Sequence, residues 1–219
     1  MSGTAGQAVV YGSSGFAEGA LFWWQESARA AGSEPEVLGF IDDDETVNGE
    51  QRGDYAVLGG RAWLSDRAQR EQLTVLLAIA DPADKRRIVA ELRPLGVRFA
   101  SVIHPSVIRP AGVPIGEGSI VAPNSSISVG VTVGDFVLVN MNCTLGHECS
   151  LGDYATALPG VNVSGRTAIG AGVLLGTGSC VLQGLEIGDG ATVGAGAAVL
   201  ADVAAGVTVA GVPARELAS

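Results

Sequence analysis

Between Ile115 and Val199 the chain places an aliphatic residue at every sixth position, without an insertion. The series is Ile115, Val121, Ile127, Val133, Val139, Leu145, Leu151, Ala157, Val163, Ile169, Leu175, Val181, Ile187, Val193 and Val199. Glycine often follows this residue, and the fifth position of each hexad is usually small. An α-helix repeats every 3.6 residues and a strand every 2, so a strict six predicts a parallel β-helix with the aliphatic residues inside.

The first hundred residues follow a different pattern, in which short apolar runs alternate with helical stretches. The sequence predicts strands at 8–11, 37–41, 73–79 and 97–101, helices at 16–31, 61–70 and 82–95, and a loop at 46–55. This alternation predicts a small parallel sheet with helices on its faces. We therefore expect an α/β domain at 1–102 and a β-helix domain of about six eighteen-residue coils at 103–219.

The amino-acid composition limits which binding partners and which cellular compartment we expect for this protein. The content of 47% hydrophobic but only 5% aromatic residues suits a narrow prism, and a net charge of −10 argues against a nucleic-acid partner. Cys143 and Cys149 occupy the fifth position of a hexad, where residues are small. We therefore expect them to be buried core residues in a protein of a reducing compartment. The chain has no basic leader segment and no apolar run of ~18 residues, so we expect a cytoplasmic protein without a membrane span.

Only two histidines are available for base chemistry. His147 falls on the outward part of its hexad beside Glu148, whereas His104 precedes Pro105 at the domain seam, where packing or capping is the simpler role. A histidine on an open solenoid surface is ordinarily solvated, and this alternative stays open. In the cleft between prisms of a trimer, however, His147 and Glu148 would form a general base with a supporting carboxylate.

Small residues between the first strand and the first helix predict a place for an anion. The loop Gly12, Ser13, Ser14 and Gly15 lets backbone N–H groups approach phosphate oxygens, although a simple tight turn is equally compatible with it. Asp42 and Asp43 close the second strand, where acidic residues of such sheets often hold a nucleoside. Together these features suggest a nucleotide-bearing small molecule at the C-terminal edge of the sheet.

At this point several segments match a known family. They are YGSSGFAE at 11–18, GFIDD at 39–43, VLGG at 57–60, LAIADPADKRRI at 77–88, IHPS at 103–106, NMNCTLGHE at 140–148 and AGVPAR at 210–215. With the hexads, they resemble the bacterial hexapeptide-repeat sugar acyltransferases, in particular the nucleotide-sugar 4-amine N-acetyltransferases and sialic acid O-acetyltransferases. The resemblance implies a Rossmann-like N-terminal domain, a left-handed parallel β-helix and a homotrimer.

The resemblance also implies roles for individual residues. His147 would be the general base, Glu148 its activator and Asn140 a sugar contact. The remaining substrate contacts would be Gly12, Ser13, Ser14, Gly15, Phe16, Asp42, Asp43 and Ala80. Acetyl-CoA would lie near Thr156, Thr177 and Ala195. We expect the turns flanking these residues to lie one above another, because the residues are 21 and 18 positions apart, close to one coil each. No metal is implied.

The chain departs from the family at three positions. Phe16 and Thr156 replace histidines that are common in relatives, and Ala80 with Asp81 replaces a Gly-Asn pair. These departures bear on the identity of the substrate more than on the fold.

The sequence thus predicts acetyl-CoA-dependent N-acetylation of an amino sugar carried on a nucleotide. O-acetylation of sialic acid or of another polysaccharide sugar is the alternative within the family, and a non-catalytic trimeric scaffold is the alternative outside it. A β-helical zinc carbonic anhydrase needs three histidine ligands, which a chain with two histidines does not supply.

Overall fold

The N-terminal part of the chain alternates strands and helices in the computed structural model, which describes residues 7–217. The strands are β1 (Gln7–Tyr11), β2 (Glu36–Ile41), β3 (Gln51–Arg52), β4 (Tyr55–Gly59), β5 (Thr74–Leu77) and β6 (Arg98–Phe99). The α-helices are α1 (Gly15–Ala30), α2 (Arg61–Ala68) and α3 (Pro82–Leu92), and 3₁₀ turns lie at Glu45–Val47 and Arg93–Leu95.

These strands form one sheet in the order β3-β4-β2-β1-β5-β6. All neighbours pair in parallel except β3 and β4, which pair antiparallel. Helix α1 covers one face, where Ala20 packs near Phe40, and α2 and α3 cover the other, where Leu64 and Ile88 pack near Val9. Parallel sheets need both faces covered, so the predicted α/β architecture is confirmed.

The structure corrects the prediction that residues 46–55 form a loop. Gln51 and Arg52 pair antiparallel with Ala56 and Tyr55 across a turn in which Gly53 has a φ of 58°. The first of these strands is short and polar and lies at the sheet edge, so it leaves no hydrophobic alternation in the sequence. The parallel sheet therefore carries an antiparallel edge hairpin that the sequence pattern did not predict.

From β7 onward, two- or three-residue strands replace the longer ones. They are β7 (Val102–Ile103), β8 (Ile120–Val121), β9 (Ser126–Ile127), β10 (Thr132–Val133), β11 (Leu138–Val139), β12 (Thr144–Leu145), β13 (Ser150–Leu151), β14 (Thr156–Ala157), β15 (Asn162–Val163), β16 (Ala168–Ile169), β17 (Leu174–Leu175), β18 (Cys180–Val181), β19 (Glu186–Ile187), β20 (Thr192–Val193), β21 (Ala198–Val199), β22 (Thr208–Ala210) and β23 (Arg215–Glu216). The predicted domain boundary after residue 102 falls inside β7 and stays a prediction.

The short strands stack into a left-handed, three-faced β-helix. Face 1 contains β7, β8, β11, β14, β17, β20 and β22, with β23 added antiparallel. Face 2 contains β9, β12, β15, β18 and β21, and face 3 contains β10, β13, β16 and β19. Partners such as Leu138 and Thr156 are eighteen residues apart, so each coil is three hexads. We call the edge between faces 1 and 2 edge A, that between faces 2 and 3 edge B, and that between faces 3 and 1 edge C.

The aliphatic position of each hexad fills the prism. Every such residue from Val121 to Val199 is at most 4% exposed. Cys143 and Cys149 are buried in the same core, as predicted, and burial raises the pKa of both thiols to about 11. Small side chains at the fifth position of each hexad, such as these two cysteines, let the three faces pack close together.

Helix α3 and the segment before it attach the N-terminal sheet to face 1 and to the adjoining turns of edge C. The ammonium group of Lys85 donates to the carbonyl oxygens of Phe136 (2.8 Å) and Ala155 (3.1 Å). The hydroxyl of Thr156 donates to the carbonyl oxygen of Ala80 at 2.7 Å. Face 1 is thus covered in its lower coils by the N-terminal sheet, while faces 2 and 3 carry exposed side chains.

Candidate active site

The histidine and glutamate predicted to be catalytic lie on edge B, in the turn between β12 and β13. Nδ1 of His147 is 3.6 Å from Oε2 of Glu148, which is ion-pair distance when the imidazole is protonated. The two side chains are 49% and 62% exposed. The pair is therefore accessible to a ligand or to a second protomer that approaches edge B.

The neighbouring coils hold this turn in place. The N–H of Glu148, which has a φ of 59°, donates to the carbonyl oxygen of Val129, and the carbonyl oxygen of His147 accepts from the N–H of Arg166. The imidazole lies over Gly165, where an added Cβ would be only 2.5 Å from Nε2. Glycine at position 165 therefore provides the space that the ring occupies.

The glycine-containing loop at residues 12–15 joins β1 to the start of α1. Gly12 has a φ of 102°, and a Cβ there would lie 2.8 Å from the carbonyl oxygen of Ala78, so the site requires glycine. Ser14 is the N-cap of α1, and within residues 7–217 its side chain makes no capping bond. The first N–H groups of the helix can therefore face an anion, although phosphate binding stays a prediction.

The carboxylates that close β2 are oriented by the chain itself. Ser13 Oγ donates to Asp42 Oδ2 at 2.6 Å, and Tyr11 donates to Asp43 Oδ2 at 2.8 Å. Arg61 lies 3.1 Å from the carboxylate of Asp43. Burial, followed by the bond to Asp43, raises the pKa of Tyr11 well above its usual range. The acidic pair and the loop thus meet at the same edge of the sheet.

Three further predicted substrate residues lie in different settings. Phe16 is in the first turn of α1 and meets the ring of Trp23 edge-on at 6.1 Å, so it packs rather than offers a polar group. Ala80 follows β5 and touches the β-helix through its carbonyl oxygen. Asn140 is buried on edge A, where its Oδ1 accepts the next backbone N–H at 2.8 Å.

The turns flanking Thr156, Thr177 and Ala195 stack as predicted: the N–H of Gly178 donates to the carbonyl oxygen of Pro159, and the N–H of Gly196 donates to that of Thr177. Thr156 itself, however, lies outside this column. Thr177 and Ala195 occupy equivalent turns of edge A, eighteen residues apart. Thr156 pairs instead with Leu174 on face 1, and its side chain is fully buried. A spacing of 21 residues moves the chain beyond one coil, from a strand into the following turn.

Two arginines beside the loop were missed by the sequence analysis. Arg52 Nε donates to the carbonyl oxygen of Ser13 at 2.9 Å, and its guanidinium also pairs with Glu50 at 2.7 Å. Arg61 pairs with Asp43 and with Glu91. Arg61 directly follows the Gly-Gly pair at the end of β4, and this position in the sequence could have placed it at the sheet edge. No such sequence feature marked Arg52, because its strand was not predicted.

The candidate residues on the β-helix do not converge within one chain. His147 lies on edge B and the Thr177–Ala195 column on edge A, with face 2 between them.

Residues 7–217 contain no group of three or more His, Cys, Asp or Glu side chains arranged to hold a metal ion. No helix in the described part of the chain has the length and apolar character of a membrane span.

Comparison with known proteins agrees with this architecture. The family model of the PglD N-terminal domain matches residues 7–92, and that of the hexapeptide repeat of succinyl-transferase matches residues 166–201. The acetyltransferase domain of PglB from Neisseria gonorrhoeae is 30% identical, with 96% of this chain and 99% of that chain covered and a TM-score of 0.85. The chain belongs to the hexapeptide-repeat sugar acyltransferases.

Two more structures of these acyltransferases contain ligands. The Neisseria domain in complex with acetyl coenzyme A is 31% identical, over 98% of this chain and 100% of that chain, with a TM-score of 0.85. A variant of perosamine N-acetyltransferase from Caulobacter crescentus in complex with CoA and GDP-perosamine is 28% identical over 98% of both chains, with a TM-score of 0.86. A search of curated protein sequences gave no match. The predicted fold and the predicted class, an acyl-CoA-dependent sugar acetyltransferase, are confirmed.

Proposed function

We propose that this sugar acetyltransferase moves the acetyl group of acetyl-CoA to the amine of a 4-amino sugar carried on a nucleotide. The observation that carries the proposal is the similarity over 98% of the chain to a perosamine N-acetyltransferase that binds CoA and GDP-perosamine. The loop at residues 12–15 and the oriented carboxylates of Asp42 and Asp43 support a nucleotide at the sheet edge.

In the proposed reaction the amine nitrogen attacks the thioester carbonyl carbon while His147 accepts the proton that the nitrogen loses. The tetrahedral intermediate then collapses, the carbon–sulfur bond breaks, and the protonated imidazole returns the proton to the departing sulfur. Glu148, 3.6 Å from Nδ1, stabilises the protonated imidazole. A positioned general base of this kind typically contributes ~10²–10⁴ in rate.

The proposal includes a homotrimer whose sites lie between protomers. His147 on edge B and the Thr177–Ala195 column on edge A can share one site only when edges of two chains face each other. Val129, Leu182 and Leu200 are also on edge B, and they are 61%, 49% and 56% exposed. Large apolar side chains exposed along one edge are typical of a protein contact surface.

A site shared between protomers predicts complementation in mixed trimers. His147→Ala removes the base from edge B, and Thr177→Trp obstructs edge A, so each variant alone should lose activity. Co-expression in equal amounts should restore about one quarter of the wild-type activity, because each mixed ring retains one intact pair of edges. Thiol release is measured on the co-purified protein, with co-expressed copies of a single variant as the control. A monomer, or mixed trimers without recovery, would contradict the shared site.

The sheet-edge assignment predicts a selective loss of sugar-nucleotide affinity. Asp42→Ala should raise the KM for the sugar nucleotide about tenfold or more, since a hydrogen bond to a charged group is worth about 1.5–3 kcal/mol. The KM for acetyl-CoA should not change. Asp54→Ala, which removes the same charge from an exposed turn nearby, is the matched control. An equal rise in both KM values would refute the assignment.

The acceptor is tested by screening sugars with acetyl-CoA. UDP-, dTDP- and GDP-linked 4-amino sugars and free sialic acid are each supplied, and the free thiol of CoA is measured. We expect release with at least one of the amino-sugar nucleotides, with an N-acetyl product by mass spectrometry. Release with sialic acid alone would contradict the proposal and favour O-acetylation.

A further inference from the structure

A column of equivalent turn residues runs along edge A, with one residue from each coil of the β-helix. In chain order it contains Pro123, Met141, Pro159, Thr177 and Ala195, each eighteen residues after the one before. The carbonyl oxygens of Met141, Pro159 and Thr177 accept backbone N–H groups from the next coil at 2.8–2.9 Å. Equivalent positions in successive coils are about 4.8 Å apart, so the column gives the height of each residue along the prism.

Met141 has the longest side chain in this column, and it is 39% exposed. Its backbone is fixed on both sides, because its N–H donates to Oδ1 of Asn140 at 2.8 Å and its carbonyl oxygen accepts from the N–H of Gly160 at 2.9 Å. The unbranched thioether side chain is the part that remains free to meet a ligand. Thr177 and Ala195, one and two coils beyond Pro159, are exposed but have shorter side chains. A ligand along the column therefore meets its largest obstacle at Met141.

His147 lies at nearly the same height along the prism as Met141. It follows Met141 by six residues, one third of a coil, so the chain rises only about 1.6 Å between them. In the proposed trimer, with its threefold axis parallel to the prisms, protomers are related by rotation alone and every residue keeps its height. The partner's His147 therefore faces edge A close to the level of Met141, about 8 Å below Thr177 and about 13 Å below Ala195. The thioester carbonyl, which must come within reach of this imidazole, lies next to Met141.

The direction of the donor then places its acyl group against Met141. With the pantetheine arm along Thr177 and Ala195, the sulfur approaches the reacting carbonyl from the C-terminal side of the column. The carbons of the acyl group lie on the other side of that carbonyl, so they continue toward Met141. An acetyl group adds one methyl there, whereas a longer chain must enter the volume that the Met141 side chain occupies. Extra methylenes in filled space are unfavourable.

We propose that Met141 determines the length of the transferred acyl group by closing the donor's path just beyond the acetyl methyl. Straight acyl chains of four or more carbons are therefore excluded, and acetyl-CoA is selected over its longer relatives. This inference rests on the proposed function, because it requires the donor arm on edge A and the partner's His147 opposite it. Met141 acts on specificity alone and takes no part in proton transfer.

Binding of unreactive donor analogues tests this inference first. S-ethyl-CoA and S-hexyl-CoA are thioethers with short and long carbon chains, and titration calorimetry should show that the wild type binds the hexyl compound about tenfold or more weakly. Met141→Ala should reverse this order, because each methylene that gains a buried place adds about fourfold in affinity. Met141→Leu retains the bulk and should keep the wild-type order. Ile108→Ala removes a 73% exposed aliphatic side chain from face 2, two coils below, and is the matched control.

Kinetics then measures the same preference during transfer. The ratio of kcat/KM for hexanoyl-CoA to that for acetyl-CoA should rise about tenfold or more in Met141→Ala and stay at the wild-type value in Ile108→Ala. A wild type that binds S-hexyl-CoA as tightly as S-ethyl-CoA would overturn the inference. So would a Met141→Ala variant that loses affinity for both analogues equally, as a merely weakened trimer would. Because calorimetry needs no acceptor, failure of acetyl transfer to every amino sugar would count against the proposed function alone.

Discussion

Replacement of His147 by alanine is expected to lower kcat by about 10²–10⁴-fold at pH 7 and to change the KM of both substrates little. The imidazole acts on the proton that leaves the attacking nitrogen, an interaction made only as the transition state forms. Steady-state kinetics with thiol release as the readout measures both constants. Near wild-type turnover of this variant would leave proximity alone to explain the rate, and the proposed mechanism would be wrong.

Two other variants separate the chemistry of His147 from its placement. Glu148→Gln should cost less than His147→Ala, because the carboxylate stabilises the protonated ring and transfers no proton. Gly165→Ala keeps both side chains but adds a Cβ only 2.5 Å from Nε2, so it should displace the ring and lower kcat by an intermediate factor. If Gly165→Ala were silent, the ring position seen on edge B would not be the catalytic one.

The prism could be predicted from sequence because its cause is local and repeated. Every sixth residue must be aliphatic because it points into the prism, and this requirement recurs three times in each eighteen-residue coil. A wrongly assigned hexad would therefore be out of register with the hexads on either side. Cys143 and Cys149 fit this rule as small buried residues. The left-handed sense came from the family resemblance alone, since hydrophobic periodicity carries no information on handedness.

The hairpin at the sheet edge could not be predicted from the hydrophobic pattern of the sequence. β3 contains only Gln51 and Arg52, and its partner strand supplies the pairing. Arg52 reaches the loop at Ser13 only after the hairpin forms, so its contact depends on tertiary structure. Local sequence therefore predicted the glycine-containing loop but not the cation beside it.

Thr156 shows the same limit on the β-helix. The residue spacing predicted that the turn beside Thr156 stacks with the turn that contains Thr177, which it does, but Thr156 itself belongs to the strand before that turn. In the fold Thr156 faces the N-terminal domain and binds the Ala80 carbonyl oxygen. Thr156 thus joins the two parts of the chain, a role that residue spacing alone does not predict.

Lys85 joins the same two parts and is the only lysine in the chain. It is 2% exposed, and its ammonium group reaches the carbonyl oxygens of Phe136 and Ala155. Burial lowers the pKa of Lys85 to about 7, against a smaller opposing effect of Asp81. The protein therefore pays a desolvation cost whenever this amine is charged in the folded state.

The pH dependence of stability should reveal this cost. Between pH 7 and about 10.5 the unfolded chain holds a proton on Lys85 that the folded chain has released, so the wild-type free energy of unfolding should rise with pH. That gain is lost as the pH falls toward 7, and below 7 both states are protonated. Relative to Lys85→Met, which cannot titrate, the wild type should gain about 3 kcal/mol between pH 7 and 9.5.

Urea denaturation of both proteins at matched pH values measures this difference, and titration of tyrosines and cysteines cancels between them. At any single pH the effect of Lys85→Met combines two opposing contributions. The variant loses donors to two buried carbonyl oxygens, which costs about 1–3 kcal/mol for a group left unpaired, but it also escapes the burial of a charge. Only the second contribution depends on pH. Stability curves that run parallel for the two proteins would therefore show that Lys85 keeps its proton when buried, held by the carbonyl oxygens of Phe136 and Ala155.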